Sequence, residues 1–160
     1  MKLARFAGLL VLAAIPSTGP AAATPVITRC GALVNSIAKT EINFFTTNSE
    51  QPVVLAGTVV SFTVPAGASR CVKVRFSAIA NCPNACFLRA FVDTVELNPK
   101  WTINPLRFAQ APQNSGVAQS FEWVGRVGAG QHAVQIKIQT GNVIANANIG
   151  PFTTVVDIQN

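Results

Sequence analysis

The chain has one histidine and six acidic residues among 160, and charged side chains make up only 11% of it. A single imidazole, His132, excludes a metal site built on two histidines. Six carboxylates (Glu41, Glu50, Asp93, Glu96, Glu122 and Asp157) leave few ways to place two acids across one cleft, as glycoside hydrolysis needs. No Gly-x-Ser-x-Gly elbow, phosphate loop, dinucleotide fingerprint or EF-hand pattern occurs. After the N-terminal stretch, no run approaches the about 18 uninterrupted apolar residues of a spanning helix. The basic residues are scattered, and none of their spacings makes a nucleic-acid stripe. No cofactor and no nucleic-acid partner are expected.

What is present begins with a leader pattern. Lys2 and Arg5 precede the apolar Phe6 to Ile15, and Ala21-Ala22-Ala23 supplies small residues for cleavage. This reads as a Sec-type signal peptide over residues 1–23, followed by one domain over 24–160 in a secreted or periplasmic protein. Removing Lys2 and Arg5 from the twelve Lys and Arg leaves ten against six acids, a net charge of +4. That licenses weak attraction to anionic surfaces and nothing more specific.

Four cysteines entering an oxidising compartment predict two disulfides. Three connectivities are open. The favoured one joins Cys82 to Cys86, around a turn containing Pro83 and Asn84, and Cys30 to Cys71. On the chain-entropy model the long loop contributes roughly 4 kcal/mol and the short one about half of that. A zinc site on the same cysteines is the weaker alternative, because structural zinc favours closely spaced cysteine pairs.

Hydrophobic alternation predicts an all-β chain of seven to nine short strands, an antiparallel β-sandwich of jelly-roll type stapled by two disulfides. Val26 to Cys30 is a candidate first strand, and Gly31 to Lys39 fits either a helical turn or an extended segment. Glu41 to Thr46 alternates, with Ile42 and Phe44 on one side. Val53 to Leu55 follows, then Val59 to Val64, with Val60, Phe62 and Val64 on one face. Ser120 to Val127 and Gln131 to Gln139 read as a hairpin about a glycine turn, with His132 opposite Gly125. Phe152, Thr154, Val156 and Ile158 alternate in a last strand.

Cys71 to Asp93 reads as the central hairpin. Val72, Val74, Phe76 and Ala78 face the core with Leu88, Ala90 and Val92, and the pairing sets Lys73 opposite Asp93 and Arg75 opposite Phe91. The other face then carries Arg75, Phe87, Arg89 and Phe91, an unusual group for a solvated surface. It is either covered, with arginine stacked on phenylalanine, or it is a recognition surface. Thr94 to Gln119, with Trp101 and Phe108, is a long segment that either covers the sheet or binds a ligand.

Three phrases carry a resemblance: Phe62-Thr63-Val64-Pro65-Ala66-Gly67, Ser120-Phe121-Glu122-Trp123-Val124, and Gly130-Gln131-His132-Ala133-Val134-Gln135-Ile136 with its closing strand. The chain resembles small exported bacterial β-sandwich proteins of unknown function. The resemblance implies the fold and brings no activity with it.

The function expected is therefore a non-catalytic binding or interaction module with candidate binding residues Arg75, Phe87, Arg89, Phe91 and Trp101. Its partner would be a glycan or another protein. The alternative is a structural, self-assembling coat- or pilus-like subunit, which would be a homo-oligomer. A small extracellular hydrolase using Asp93 or Glu96 with His132 ranks third, since a structural histidine and solvated carboxylates explain those residues more simply.

Overall fold

The computed structural model describes residues 29–83, 85–100, 116–141 and 146–160, and the backbone of 106–107. The leader, the Val26 end of the first candidate strand, Trp101 and Phe108 lie outside the described residues. Among the described residues eleven strands are formed: β1 (Leu33–Glu41), β2 (Phe45–Thr47), β3 (Val53–Val54), β4 (Val60–Val64), β5 (Arg70–Asn81), β6 (Cys86–Val92), β7 (Val95–Glu96), β8 (Leu106–Arg107), β9 (Val117–Val127), β10 (Gly130–Thr140) and β11 (Ala147–Gln159). Three of these (β3, β7 and β8) have two residues each, and the eight longer ones fall in the expected range. Among the described residues there is no helix.

All pairing among the described residues is antiparallel. The first sheet runs β1-β11-β5-β9, with β2 beside the start of β11. The second runs β3-β10-β6-β7, with β4 also on β10 and β8 on β6. The inward residues of both sheets form one core, from Val60, Phe62 and Val64 through Val72, Val74 and Phe76 to Leu88, Trp123, Val134, Ile136 and Ile138. This is a sandwich of two antiparallel layers, as alternation predicted.

The alternation holds residue by residue. Strand β4 is buried, exposed, buried, exposed, buried, and in β11 Phe152, Thr154, Val156 and Ile158 are all buried. Gly31 to Lys39 resolves as extended, with β1 starting at Leu33. Glu41 to Thr46 does not form one strand. β1 ends at Glu41, whose Oε1 accepts both the backbone N–H and the Nδ2 of Asn43, and the resulting turn leaves Ile42 and Phe44 in solvent. Opposite this turn, β11 is bulged at Gly150. A Cβ there would stand 2.8 Å from the Asn43 carbonyl, at a φ of +142° that disfavours side chains.

Both expected hairpins are corrected. β5 pairs with β9 and β11, whereas β6 lies in the other sheet on β10, so Cys71 to Asp93 is an arch that crosses the core. Likewise β9 and β10 lie in different sheets. Lys73 is opposite Asp157 and Val124, Arg75 is opposite Val155 and Glu122, and His132 is opposite Phe62. The space beside Gly125 is filled by Leu97, 2.5 Å from where a Cβ would be.

The reason is that hairpin and arch bury the same alternate residues, so alternation does not choose between them. Strand length does. The 12 residues of β5 outrun the 7 of β6 but match the 11 of β9 and the 13 of β11, so ladder hydrogen bonds are completed along the whole of β5. The disulfides are Cys30–Cys71 and Cys82–Cys86, and the second spans the point where the chain leaves one sheet for the other.

Candidate functional site

The arch divides the expected Arg/Phe face between two surfaces. Phe87, Arg89 and Phe91 point outward from the second sheet, and Arg75 points outward from the first, on the far side of the core. Trp101 lies outside the described residues.

Around Phe91 on the second sheet the charged groups are engaged locally. Arg89 donates from Nε to one oxygen of Glu96 at 3.0 Å and from Nη2 to the other at 2.8 Å. Its guanidinium carbon stands 5.1 Å from the centre of the Phe91 ring, and Lys137 Nζ stands 4.5 Å from the same ring. Phe91 is 8% exposed although its side chain is not part of the sandwich core. Two cations on one ring and a bidentate carboxylate make a closed unit. This is the packing explanation of these residues.

Asp93 and His132 meet at the end of the second sheet. His132 Nδ1 lies 2.8 Å from Asp93 Oδ2 and Nε2 lies 3.0 Å from the Gly128 carbonyl, while Asp93 Oδ1 accepts the Ala133 N–H. With acceptors at both ring nitrogens, only the imidazolium donates to both. The Asp93 hydrogen bond accordingly raises the His132 pKa above its ordinary value, against the effect of burial and with help from Gly128. The His132 hydrogen bond, then that of Ala133, lowers the Asp93 pKa. As a general base His132 is badly placed, because a carbonyl occupies the position where a nucleophile's hydroxyl would sit. Glu96, the other acid of the hydrolase expectation, is bound to Arg89.

The outer face of the first sheet is different. Register places Thr40 of β1, Thr153 of β11, Ser77 of β5 and Ser120 of β9 side by side, one hydroxyl on each of four adjacent strands. Thr40 and Thr153 are hydrogen-bonded at 3.1 Å, and Ser77 and Ser120 at 2.7 Å. The next row toward the Cys71 end of β5 is Ala38, Val155, Arg75 and Glu122, and the one after it contains Ser36, Asp157 and Lys73. Arg75 Nη2 donates to Asp157 at 2.9 Å and Lys73 pairs with Glu122 at 3.0 Å, diagonally between rows. About half of the Arg75 and Glu122 side chains remains in solvent. Hollows of about 360 and 290 Å³ flank the row and share Ser77, Ser120 and Thr153. The first ends against Ile79 and Pro151, both exposed.

Alternation marks Ser77, Ser120 and Thr153 as outward positions, but only register aligns them, so sequence reasoning had no signal for the row. Among the described residues no three His, Cys, Asp or Glu side chains are grouped to hold a metal ion.

No protein-family model matches the chain, and no curated protein matches it. Solved structures with a similar layout include the C-terminal domain of EclA, a sugar-binding protein, at 13% identity and TM-score 0.44, covering 85% of this chain and 86% of that one. A carbohydrate-binding module of Cellvibrio mixtus lichenase 5A, in complex with cellotriose, is also 13% identical with TM-score 0.39, over 81% and 98%. Latent PorU from Porphyromonas gingivalis is 11% identical with TM-score 0.40, over 82% of this chain and 14% of that one. At these values the likeness carries no function across.

Proposed function

We propose that the protein is an exported, non-catalytic binding module that offers the outer face of its first sheet to a polyhydroxylated ligand of the glycan class. The observation that carries this reading is the hydroxyl row Thr40–Thr153–Ser77–Ser120 between two hollows. In each hydrogen-bonded hydroxyl pair one O–H is used internally, and the other O–H is left to donate outward beside oxygen lone pairs that accept. Beside the row Arg75 gives one of its five N–H donors to Asp157. Such a surface meets the alternating donors and acceptors of a polyol without desolvating a bare charge. Two disulfides suit an extracellular or periplasmic setting, and among the described residues no helix is long and apolar enough to cross a membrane.

Glycan-array screening of the purified protein, followed by calorimetry, tests the reading. Ser77→Ala combined with Thr153→Val removes two hydroxyls of the row and should weaken any hit at least about tenfold. Lys137→Ala, on the opposite sheet, should leave it unchanged. Binding that ignores the first variant and is lost with the second would move the site to the other face.

A self-assembling subunit is the second reading, favoured by β1. This nine-residue edge strand exposes Leu33 and Val34, and Ile42 and Phe44 follow it. Long exposed edges template strand addition. Light scattering that reports a strict monomer at high concentration would remove this reading.

A further inference from the structure

The charges within the central rows of the first sheet's outer face cancel. Among the described outward residues of its four central rows, Lys73 and Arg75 are the cations and Glu122 and Asp157 the anions, and each cation is already bridged to one anion. Asp157, only 7% exposed, also accepts the Ser36 hydroxyl at 2.6 Å. A carboxylate or sulfate taking the remaining Arg75 donors would share that one cation with Asp157, and repulsion between the two anions disfavours it. These rows therefore offer no unmatched positive charge; Arg126 of β9, beyond them toward the Cys71 end, donates to the Arg29 carbonyl.

Direction follows from the ladder. Adjacent strands are about 4.8 Å apart, so four hydroxyl-bearing strands make a row about 14 Å long running perpendicular to them. Ala38 and Val155 bound it on one side and Ala118 on the other. An extended polyol chain repeats its hydroxyls at a comparable interval. On the Ala118 side the surface turns apolar: Ile79, opposite Ala118, is 43% exposed and lies over Gly116, where a Cβ would come within 2.6 Å of its Cγ2. Gly116 thus lets the isoleucine lie across the sheet, as an apolar shelf for the C–H face of a ring.

We infer that the ligand of this face is a neutral, extended glycan lying across the strands along the hydroxyl row, with a C–H face on Ile79. This rests on the binding-module reading above and narrows it. Among the described residues no aromatic side chain projects outward from these rows, and Phe121, which lines the smaller hollow, is packed against the core. The affinity is therefore modest and comes from chain length.

The probes are a series of neutral β-glucan oligosaccharides of increasing length and uronate oligosaccharides of the same lengths, titrated calorimetrically into the whole purified protein. Affinity for the neutral series should rise until the chain covers the row, at about three sugar units, and then level off. Uronates should bind at least about tenfold more weakly, and raising the salt should leave neutral binding unchanged. Ile79→Ser, a surface change, should reduce neutral binding several-fold. Uronates that bind as tightly as neutral chains and lose binding in Arg75→Ala would overturn the neutral assignment and keep the face as the site. Neutral binding untouched by Ser77→Ala with Thr153→Val would overturn the face itself, and no binding by either series would overturn both.

Discussion

The two outer faces of the sandwich carry the same residue types to opposite ends. On the second sheet Arg89 and Lys137 close over Phe91 while Glu96 takes the guanidinium in a bidentate grip. On the first sheet Arg75 gives one N–H to Asp157 and remains about half exposed beside a row of hydroxyls. An arginine marks a recognition surface only when its donors are left over, and the neighbours on the adjacent strand decide that. Around Phe91 the second face is finished as folded, whereas the hydroxyl row of the first has capacity for a ligand.

The sharpest way to break this comparison is to truncate the ring at the centre of the finished face. Phe91→Ala should cost about 3 kcal/mol, the loss expected for a buried phenylalanine, measured by urea unfolding. Arg89→Ala should cost about 2 kcal/mol, because Glu96 is left partly buried without its guanidinium. Arg75→Ala should cost about 1 kcal/mol or less, since that pair is largely solvated on the arginine side, while ligand affinity falls. Equal losses for Arg75→Ala and Arg89→Ala would erase the distinction.

A smaller effect separates the His132–Asp93 clamp from both faces. The raised His132 pKa contributes stability that is fully present below its ordinary value of 6.5 and is lost as pH rises through the higher folded value. The lowered Asp93 pKa contributes stability present above 3.8 and lost as pH falls through its lower folded value. The clamp is therefore strongest between those two ordinary values. Thermal melts across that range and up to mildly alkaline pH should show a decline on the alkaline side that His132→Gln abolishes. A decline of the same size in the variant would detach it from this residue.

Much of the fold is legible in the sequence because burial follows alternation. Val60, Phe62 and Val64, Val72 to Ala78 on alternate positions, and Phe152 to Ile158 all face the core as their periodicity requires. The pairing of Cys82 with Cys86 and Cys30 with Cys71 is also as the turn at Pro83 suggested. Strand partnership is not legible in this way. Arg75 and Phe91 read as neighbours because a hairpin and an arch bury identical residues, and the whole Arg/Phe face depends on that choice. The hydroxyl row was invisible for the same reason: Thr40, Thr153, Ser77 and Ser120 are distant in sequence and meet only through the order β1-β11-β5-β9. Ile42 and Phe44 show the opposite failure, an alternating pair that a side-chain cap at Glu41 turns out of the sheet.

The most direct test is residue-resolved chemical-shift mapping of the protein titrated with a neutral oligosaccharide. The predicted result is a contiguous set of perturbed amides at Thr40, Arg75, Ser77, Ser120 and Thr153, with Arg89, Phe91 and Lys137 unmoved. Perturbation centred on Arg89, Phe91 and Lys137, with the hydroxyl row silent, would contradict the account.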